Sequence, residues 1–272
     1  EKKAGGHMKA FLILEDGTVF TGKSIGSGKD AVSEIVFNTS MTGYLEILTD
    51  PSYAGQSVVM TYPLIGNYGI TPDRESRKIW ARGLIVKEPS RTPSNFRCEG
   101  TIQALLEKEE VAGIEGIDTR TLTKILREKG TMNGLITTDE HYDLQQILPM
   151  LKKYTIGDVV METTCQEVYR LEGDGPRVAL LDLGAKDNIA GSLNRRGCQV
   201  TVYPADTSAE RILGTHPDGI MLSNGPGDPS SCTAIIQEIK KLYASDVPIF
   251  AICLGHQLMA LANGASTCRL KY

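Results

Sequence analysis

The 272 residues carry a formal net charge of −4, and 41% of them are hydrophobic and 23% charged, as in a soluble globular chain with room for two domains. This charge argues against a broad nucleic-acid surface, and no apolar run reaches the roughly 18 residues of a membrane span. Six scattered cysteines without a C-x-x-C pair argue against a zinc or other metal site and predict free thiols in a reducing cytoplasm.

The first half of the chain, residues 8–155, predicts a strand-rich α+β domain. Residues 1–7 resemble a tag remnant, so the natural sequence is expected to begin at Met8. Asp16-Gly17 lies between two apolar runs and is a strong hairpin signal. Further strands are expected at residues 35–37, 57–60 and 83–86, and helices at 101–106 and 119–128. The second helix has Asp118 as its predicted N-cap and Gly130 as its stop.

The second half, residues 177–272, has a different pattern of apolar residues. It follows a polar stretch at 156–176 that is predicted to be a linker. Short apolar strands without alternation are each followed by an amphipathic helix, which predicts a mostly parallel α/β sheet covered on both faces. The expected strands are residues 178–181, 199–203, 219–222, 247–252 and 267–270, and the expected helices 188–196, 208–213, 232–243 and 255–262. Ligands of such sheets bind at the carboxyl ends of the strands.

Two of these strand ends carry unusual loops. The first, SNGPGDP at 223–229, holds two glycines that let backbone N–H groups face a ligand closely, although a plain turn would look the same. The second is an apolar strand that runs into Cys253 and then, two residues later, Gly255. Small residues on both sides, Ala251 and Gly255, give the pattern of a nucleophile elbow. The helix that begins there favours a thiolate, and the N–H of Leu254 would point at an oxyanion.

Together the two loops resemble those of the class I, or triad, glutamine amidotransferases. The first half adds a more specific resemblance, to the small-chain family of carbamoyl-phosphate synthases. The segments that carry it are VFNTSMTGY at 36–44, LTDPSY at 48–53, TYPLIGN at 61–67, IDTR at 117–120 and DLGAK at 182–186. The resemblance extends over essentially everything from Met8 onward.

The resemblance implies a site and a partner. Cys253 would attack the carboxamide of L-glutamine to form a glutamyl thioester. The N–H of Leu254 and the loop at 223–229 would hold the oxyanion, and Ser52, Gly225, Gly227 and Gln257 match glutamine-binding positions. The ammonia would pass to a large synthetase chain in a hetero-oligomer. ATP and magnesium would belong to that chain, and no cofactor, nucleic acid or membrane is expected here.

The sequence also departs from the family pattern. The family's general base is a histidine followed two residues later by a glutamate, and no such pair occurs in this sequence. We therefore expect the amidotransferase domain to be incomplete at its C-terminus and the chain as given to be inactive or weakly active. Ala251 stands where the family has a glycine. His256, beside the elbow, is expected to pack or hydrogen-bond locally.

Two alternatives remain open at this point. One is another triad amidotransferase, such as that of anthranilate or GMP synthesis, although those units need no domain like residues 8–155. The other is a non-catalytic subunit that only binds and regulates a large chain. Whether the chain serves arginine or pyrimidine synthesis is not encoded in these motifs.

Overall fold

The structure, a computed structural model, describes residues 8–270. The chain divides into two compact units, with the boundary between Ile156 and Gly157. Within the described residues, no helix is both long and apolar enough to cross a membrane.

The first unit is built around a closed barrel. Its strands are β1 (Lys9–Leu14), β2 (Val19–Ser24), β3 (Ala31–Asn38), β4 (Gln56–Met60), β5 (Leu64–Ile65), β6 (Gly83–Ile85), β7 (Glu88–Pro89), β8 (Ala112–Glu115) and β9 (Met132–Thr137). Its helices are α1 (Tyr44–Thr49), α2 (Ile102–Lys108), α3 (Thr119–Lys129) and α4 (Leu144–Lys153). The barrel order is β1-β2-β8-β6-β4-β3-β9, and β5 pairs separately with β7.

Four neighbouring barrel strands, β8, β6, β4 and β3, run parallel, so their carboxyl ends meet at one edge. Alternate side chains along each strand enter different clusters. Val59 packs with Leu122 of α3, whereas Val58 packs with Leu48 of α1 and Leu106 of α2. Burying both strand faces in this way gives the unit its core.

Local signals predicted several of these elements. Asp16 and Gly17 form the turn between β1 and β2, where Gly17 has φ +88° and the Asp16 carboxylate accepts from the Thr18 N–H at 2.9 Å. Asp118 caps α3 by accepting from the Thr121 N–H at 3.0 Å, and Gly130 ends that helix with φ +96°. Helices α1 and α4 and strands β5, β7, β8 and β9 were not predicted.

The second unit is a sheet covered by helices. Its elements are α5 (Val159–Thr163), β10 (Tyr169–Leu171), β11 (Arg177–Asp182), α6 (Asp187–Arg195), β12 (Gln199–Pro204), α7 (Ala209–Leu213), β13 (Gly219–Leu222), α8 (Thr233–Tyr243), β14 (Ile249–Ala251) and α9 (Leu254–Ala262). The strand order is β10-β12-β11-β13-β14, and every pair is parallel except β10 with β12. Helices α7, α8 and α9 cover one face and α6 the other. The predicted class, a β-rich α+β unit followed by a mostly parallel α/β unit, is confirmed.

Three expectations for this half need correction. Residues 156–176 are not a plain linker, because they hold α5 and the edge strand β10, which pairs with β12. Residues 267–270 form no strand; Leu270 is the sole large apolar side chain there and is 77% exposed, so no buried face stabilises one. Strand β14 is less buried than predicted, since Phe250 is 67% exposed and, within residues 8–270, β14 pairs with β13 alone.

Candidate active site

Cys253 occupies a strained turn between β14 and α9. Its φ of +49° and ψ of −112° lie outside the regions that residues with a Cβ normally adopt. The side chain is exposed, so the turn presents the thiol to solvent at the carboxyl end of the strand. Strain of this kind persists only where surrounding contacts fix the backbone. The elbow predicted from the sequence is therefore present in the structure.

Backbone hydrogen bonds fix the chain on both sides of Cys253. The Ile252 N–H donates to the Leu222 carbonyl at 3.0 Å, and the Gly255 N–H donates to the Ser223 carbonyl at 3.0 Å. Gly255 approaches β13 so closely that a Cβ there would lie 2.7 Å from the Ser223 oxygen. Only glycine fits this approach, which explains the residue type two positions after the thiol.

The loop at 223–229 lies directly beside the elbow. A Cβ on the buried Gly225 would lie 2.8 Å from Cδ2 of Leu254 and 2.0 Å from the Leu183 carbonyl oxygen. Gly227 is exposed and has φ +86°, a conformation that L side chains rarely adopt. Among residues 8–270, the N–H groups of Gly225 and Leu254 donate to no acceptor of the protein. Backbone donors without a partner, near a nucleophile, are the kind of group from which oxyanion holes are built.

Hydrogen bonds join this loop to the loop that follows β11. The Asn224 side chain donates to the Gly184 carbonyl at 3.0 Å and accepts from the Lys186 N–H at 3.1 Å. The hydroxyl of Ser223, which is fully buried, accepts from the Leu183 N–H at 2.9 Å. The carboxyl ends of β11 and β13 are therefore held together by side chains that sequence reasoning did not single out.

Asp182 organises the same edge. One carboxylate oxygen accepts from the N–H groups of Gly184 and Ala185 at 2.9 and 2.7 Å, and the other accepts from the Cys165 N–H at 2.8 Å. Asp182 is 7% exposed, so these three donors replace its lost hydration. The motif DLGAK was recognised in the sequence, but its turn-forming role became visible only from these contacts.

Asp182→Asn should lower the free energy of unfolding by about 1–3 kcal/mol, because an amide NH₂ would then oppose the Cys165 N–H and leave it unpaired. Asp206→Asn is the matched control, since Asp206 is exposed in the same unit and should change stability by less than about 0.5 kcal/mol. Urea titration followed by circular dichroism measures both. Equal effects of the two substitutions would contradict the role assigned to Asp182.

The predicted site residues divide between the two units. Cys253, Leu254, Gln257, Gly225 and Gly227 all lie at the carboxyl edge of the second unit's sheet, and Gln257 is exposed on the first turn of α9. Ser52 belongs to the first unit, in the short 3₁₀ helix Pro51–Tyr53, where its N–H donates to the Asp50 carboxylate at 2.9 Å. Its part in glutamine binding stays a prediction.

The remaining cysteines and histidines have no comparable setting. Burial, followed by the nearby Asp182 carboxylate, raises the pKa of the Cys165 thiol to about 12, and burial also raises the pKa of Cys232. Cys268 is exposed but lies outside any helix or strand. His256 is exposed on α9 rather than packed, and within the described residues it forms no hydrogen bond through its side chain. Among the described cysteines, Cys253 alone is exposed at a strand–helix junction.

A parallel α/β sheet with a cysteine elbow beside a Gly-Pro loop is the arrangement expected of a class I glutamine amidotransferase domain. The family model for glutamine amidotransferase class I matches residues 179–272, and that for the carbamoyl-phosphate synthase small chain, CPSase domain, matches residues 12–136. The chain belongs to the carbamoyl-phosphate synthase small chain family.

Curated relatives support that assignment over almost the whole sequence. The chain is 50% identical to the carbamoyl phosphate synthase small chain of Clostridium perfringens, with 97% of this chain and 76% of the relative covered. It is 49% identical to the small chain of Chlorobaculum tepidum, covering 97% and 74%. A solved structure, an aminopeptidase from Aneurinibacillus sp. strain AM-1, aligns with 96% of this chain and 71% of its own chain. Its TM-score of 0.30 and sequence identity of 8% are too low to indicate a shared fold.

Proposed function

We propose that the chain hydrolyses L-glutamine through Cys253 and supplies the ammonia to the large chain of a carbamoyl-phosphate synthase. The observation that carries this proposal is the exposed thiol at a strained elbow, next to the N–H groups of Leu254 and Gly225. Family membership supports the glutaminase role, and the geometry of the elbow supports Cys253 as the nucleophile with these N–H groups as oxyanion donors.

The reaction proceeds in two steps. The Cys253 sulfur adds to the side-chain carbonyl carbon of glutamine, and the negative charge that develops on the oxygen is stabilised by backbone N–H donors. The C–N bond then breaks, and the leaving nitrogen takes up the proton of the thiol and departs as ammonia. A glutamyl thioester remains on the sulfur. Water adds to that thioester, releases glutamate and restores the thiol.

Ser52, Gly225, Gly227 and Gln257 are proposed to hold the glutamine. The chain itself is proposed to need no cofactor, and ATP and magnesium are assigned to the large chain, which would use bicarbonate and ammonia. In the family that the sequence resembles, the general base is a histidine followed two residues later by a glutamate. No residue in this sequence forms that pair, so none is assigned the role.

The proposal is tested with the complete gene product and the large chain from the same source. We expect carbamoyl phosphate to form from glutamine only when both chains are present, whereas the large chain alone uses ammonium. Glutamate and carbamoyl phosphate are measured in the same reaction. Binding of the large chain without glutamate release would instead support a purely regulatory subunit.

A further inference from the structure

A cleft in the first unit lies where its four neighbouring parallel strands end. Thr39 directly follows β3, Thr61 directly follows β4, Lys87 lies two residues past β6, and Asp118 three residues past β8. The cleft has a volume of about 890 Å³. The carboxyl edge of parallel strands is the usual place for ligands in α/β sheets. Segments of three motifs from the sequence, VFNTSMTGY, TYPLIGN and IDTR, meet in this cleft, and the proposed glutaminase reaction uses none of its residues.

The wall formed by α3 carries positive charge. Arg120, Lys124 and Arg127 recur at intervals of four and three residues and all line the cleft, so they form one stripe about 10 Å long on the exposed side of the helix. Lys87, which follows β6, adds a fourth cation to the lining of the cleft. Within residues 8–270, Lys87 and Arg120 form no salt bridge, and the whole chain has a net charge of −4. The cleft is thus a local positive surface on an acidic protein.

The two carboxylates in the cleft are engaged. Asp118 accepts from the Thr121 N–H at 3.0 Å and from the Thr121 hydroxyl at 2.7 Å, and these bonds hold the pKa of its carboxyl below the ordinary value. Glu128 lies 4.0 Å from the Lys124 ammonium. Because Asp118 occupies the N-terminus of α3, a compact phosphate gains little there. A linear stripe of cations instead suits carboxylates spaced along a polypeptide.

Exposed apolar side chains lie close in sequence to the residues that line the cleft. Tyr62, between the lining residues Thr61 and Pro63, is 40% exposed, and Leu64 is 39% exposed. Met41, two residues past Thr39, is 61% exposed. Tyrosine, methionine and arginine are enriched in protein interfaces, and rim charges there set the rate and salt dependence of association.

We propose that this cleft, lined by α3 and the carboxyl ends of β8, β6, β4 and β3, docks an acidic segment of the large synthetase chain. The inference rests on the proposed function for the identity of the partner. Cations at Lys87, Arg120 and Lys124 pair with carboxylates of the partner, and the exposed side chains of Met41 and Tyr62 add apolar contact. The cleft shares no residue with the set proposed to bind glutamine.

The test measures the affinity between the complete gene product and the large chain over a range of salt concentrations. We expect Arg120→Glu/Lys124→Glu to weaken binding at least tenfold and to flatten its salt dependence. Lys152→Glu/Lys153→Glu is the matched control, because both lysines are exposed on α4 of the same unit and the charge change is equal. The control should stay within twofold of wild type, and circular dichroism verifies that both variants fold.

Four results would overturn the docking proposal. Less than a twofold loss for Arg120→Glu/Lys124→Glu, or an equal loss for the α4 control, would show that the cleft does not bind the partner. Loss of pyrophosphate binding with unchanged large-chain affinity would make it a small-anion site. Failure of the wild-type chain to bind the large chain would overturn the proposed function as well, which separates the two failures.

Discussion

Cys253→Ser should reduce glutamine hydrolysis by roughly 10⁴-fold or more while leaving the fold intact. Serine keeps the size and the backbone requirements of the elbow but presents a hydroxyl that is far less nucleophilic than a thiol at neutral pH. Ammonium-dependent synthesis by the large chain should not change, because it does not involve this thiol. The measurement is glutamate release by the complete gene product. A variant with wild-type activity would show that the nucleophile lies elsewhere.

The same assignment can be tested without turnover, by covalent labelling of the thiols. An electrophilic glutamine analogue should modify Cys253 selectively, because the oxyanion donors and the glutamine contacts recognise it there. Cys268 is the matched control, since both thiols are exposed and iodoacetamide should alkylate both. Peptide mass spectrometry locates the adducts. Equal modification of the two cysteines by the analogue would argue against a glutamine site at the elbow.

Gly225→Ala should impair the same site through the backbone. The added methyl would lie 2.0 Å from the Leu183 carbonyl oxygen, so the loop at 223–229 must move. Forcing a group into a packed site costs about 1–3 kcal/mol, and a displacement near 1 Å at a reacting centre costs roughly 10²-fold in rate. We therefore expect a lower melting temperature together with a hundredfold loss of glutaminase activity.

Gly157→Ala is the control for that substitution. No heavy atom lies within 4 Å of a Cβ built at Gly157, and this glycine belongs to the same unit. The control should retain wild-type melting temperature and rate. If Gly225→Ala also behaved like wild type, the 223–229 loop could not be an essential wall of the site.

Sequence reasoning was most successful where structure is decided locally. The Asp16-Gly17 turn and the two ends of α3 follow from side-chain chemistry within a few residues, and both are found as predicted. The elbow at Cys253 belongs to the same group, because small residues and a strand–helix junction specify it within five positions. Local signals were also incomplete: α4, which was not predicted, contains Pro149, a residue that normally argues against a helix.

Distant pairings could not be predicted in the same way. The barrel closes because β1 pairs with β9, where Leu12 lies opposite Ile136, more than a hundred positions away. No local pattern specifies such a partner. The roles of Asp182 and Asn224 could not be predicted for the same reason. The Asp182 carboxylate accepts from the Cys165 N–H, 17 positions away, and the Asn224 side chain donates to the Gly184 carbonyl. The loop motifs predicted a candidate site, but the contacts that position these loops are non-local.

At Cys253 the backbone conformation and the chemistry favour different residues. A positive φ combined with a ψ of −112° suits glycine far better than any residue with a Cβ, so the polypeptide would fold more easily with no side chain at that point. Reactivity, however, depends on the sulfur that a Cβ carries. Selection for thermal robustness and selection for catalysis therefore act in opposite directions on this one position, and the surrounding hydrogen bonds determine how much of that conflict the fold tolerates.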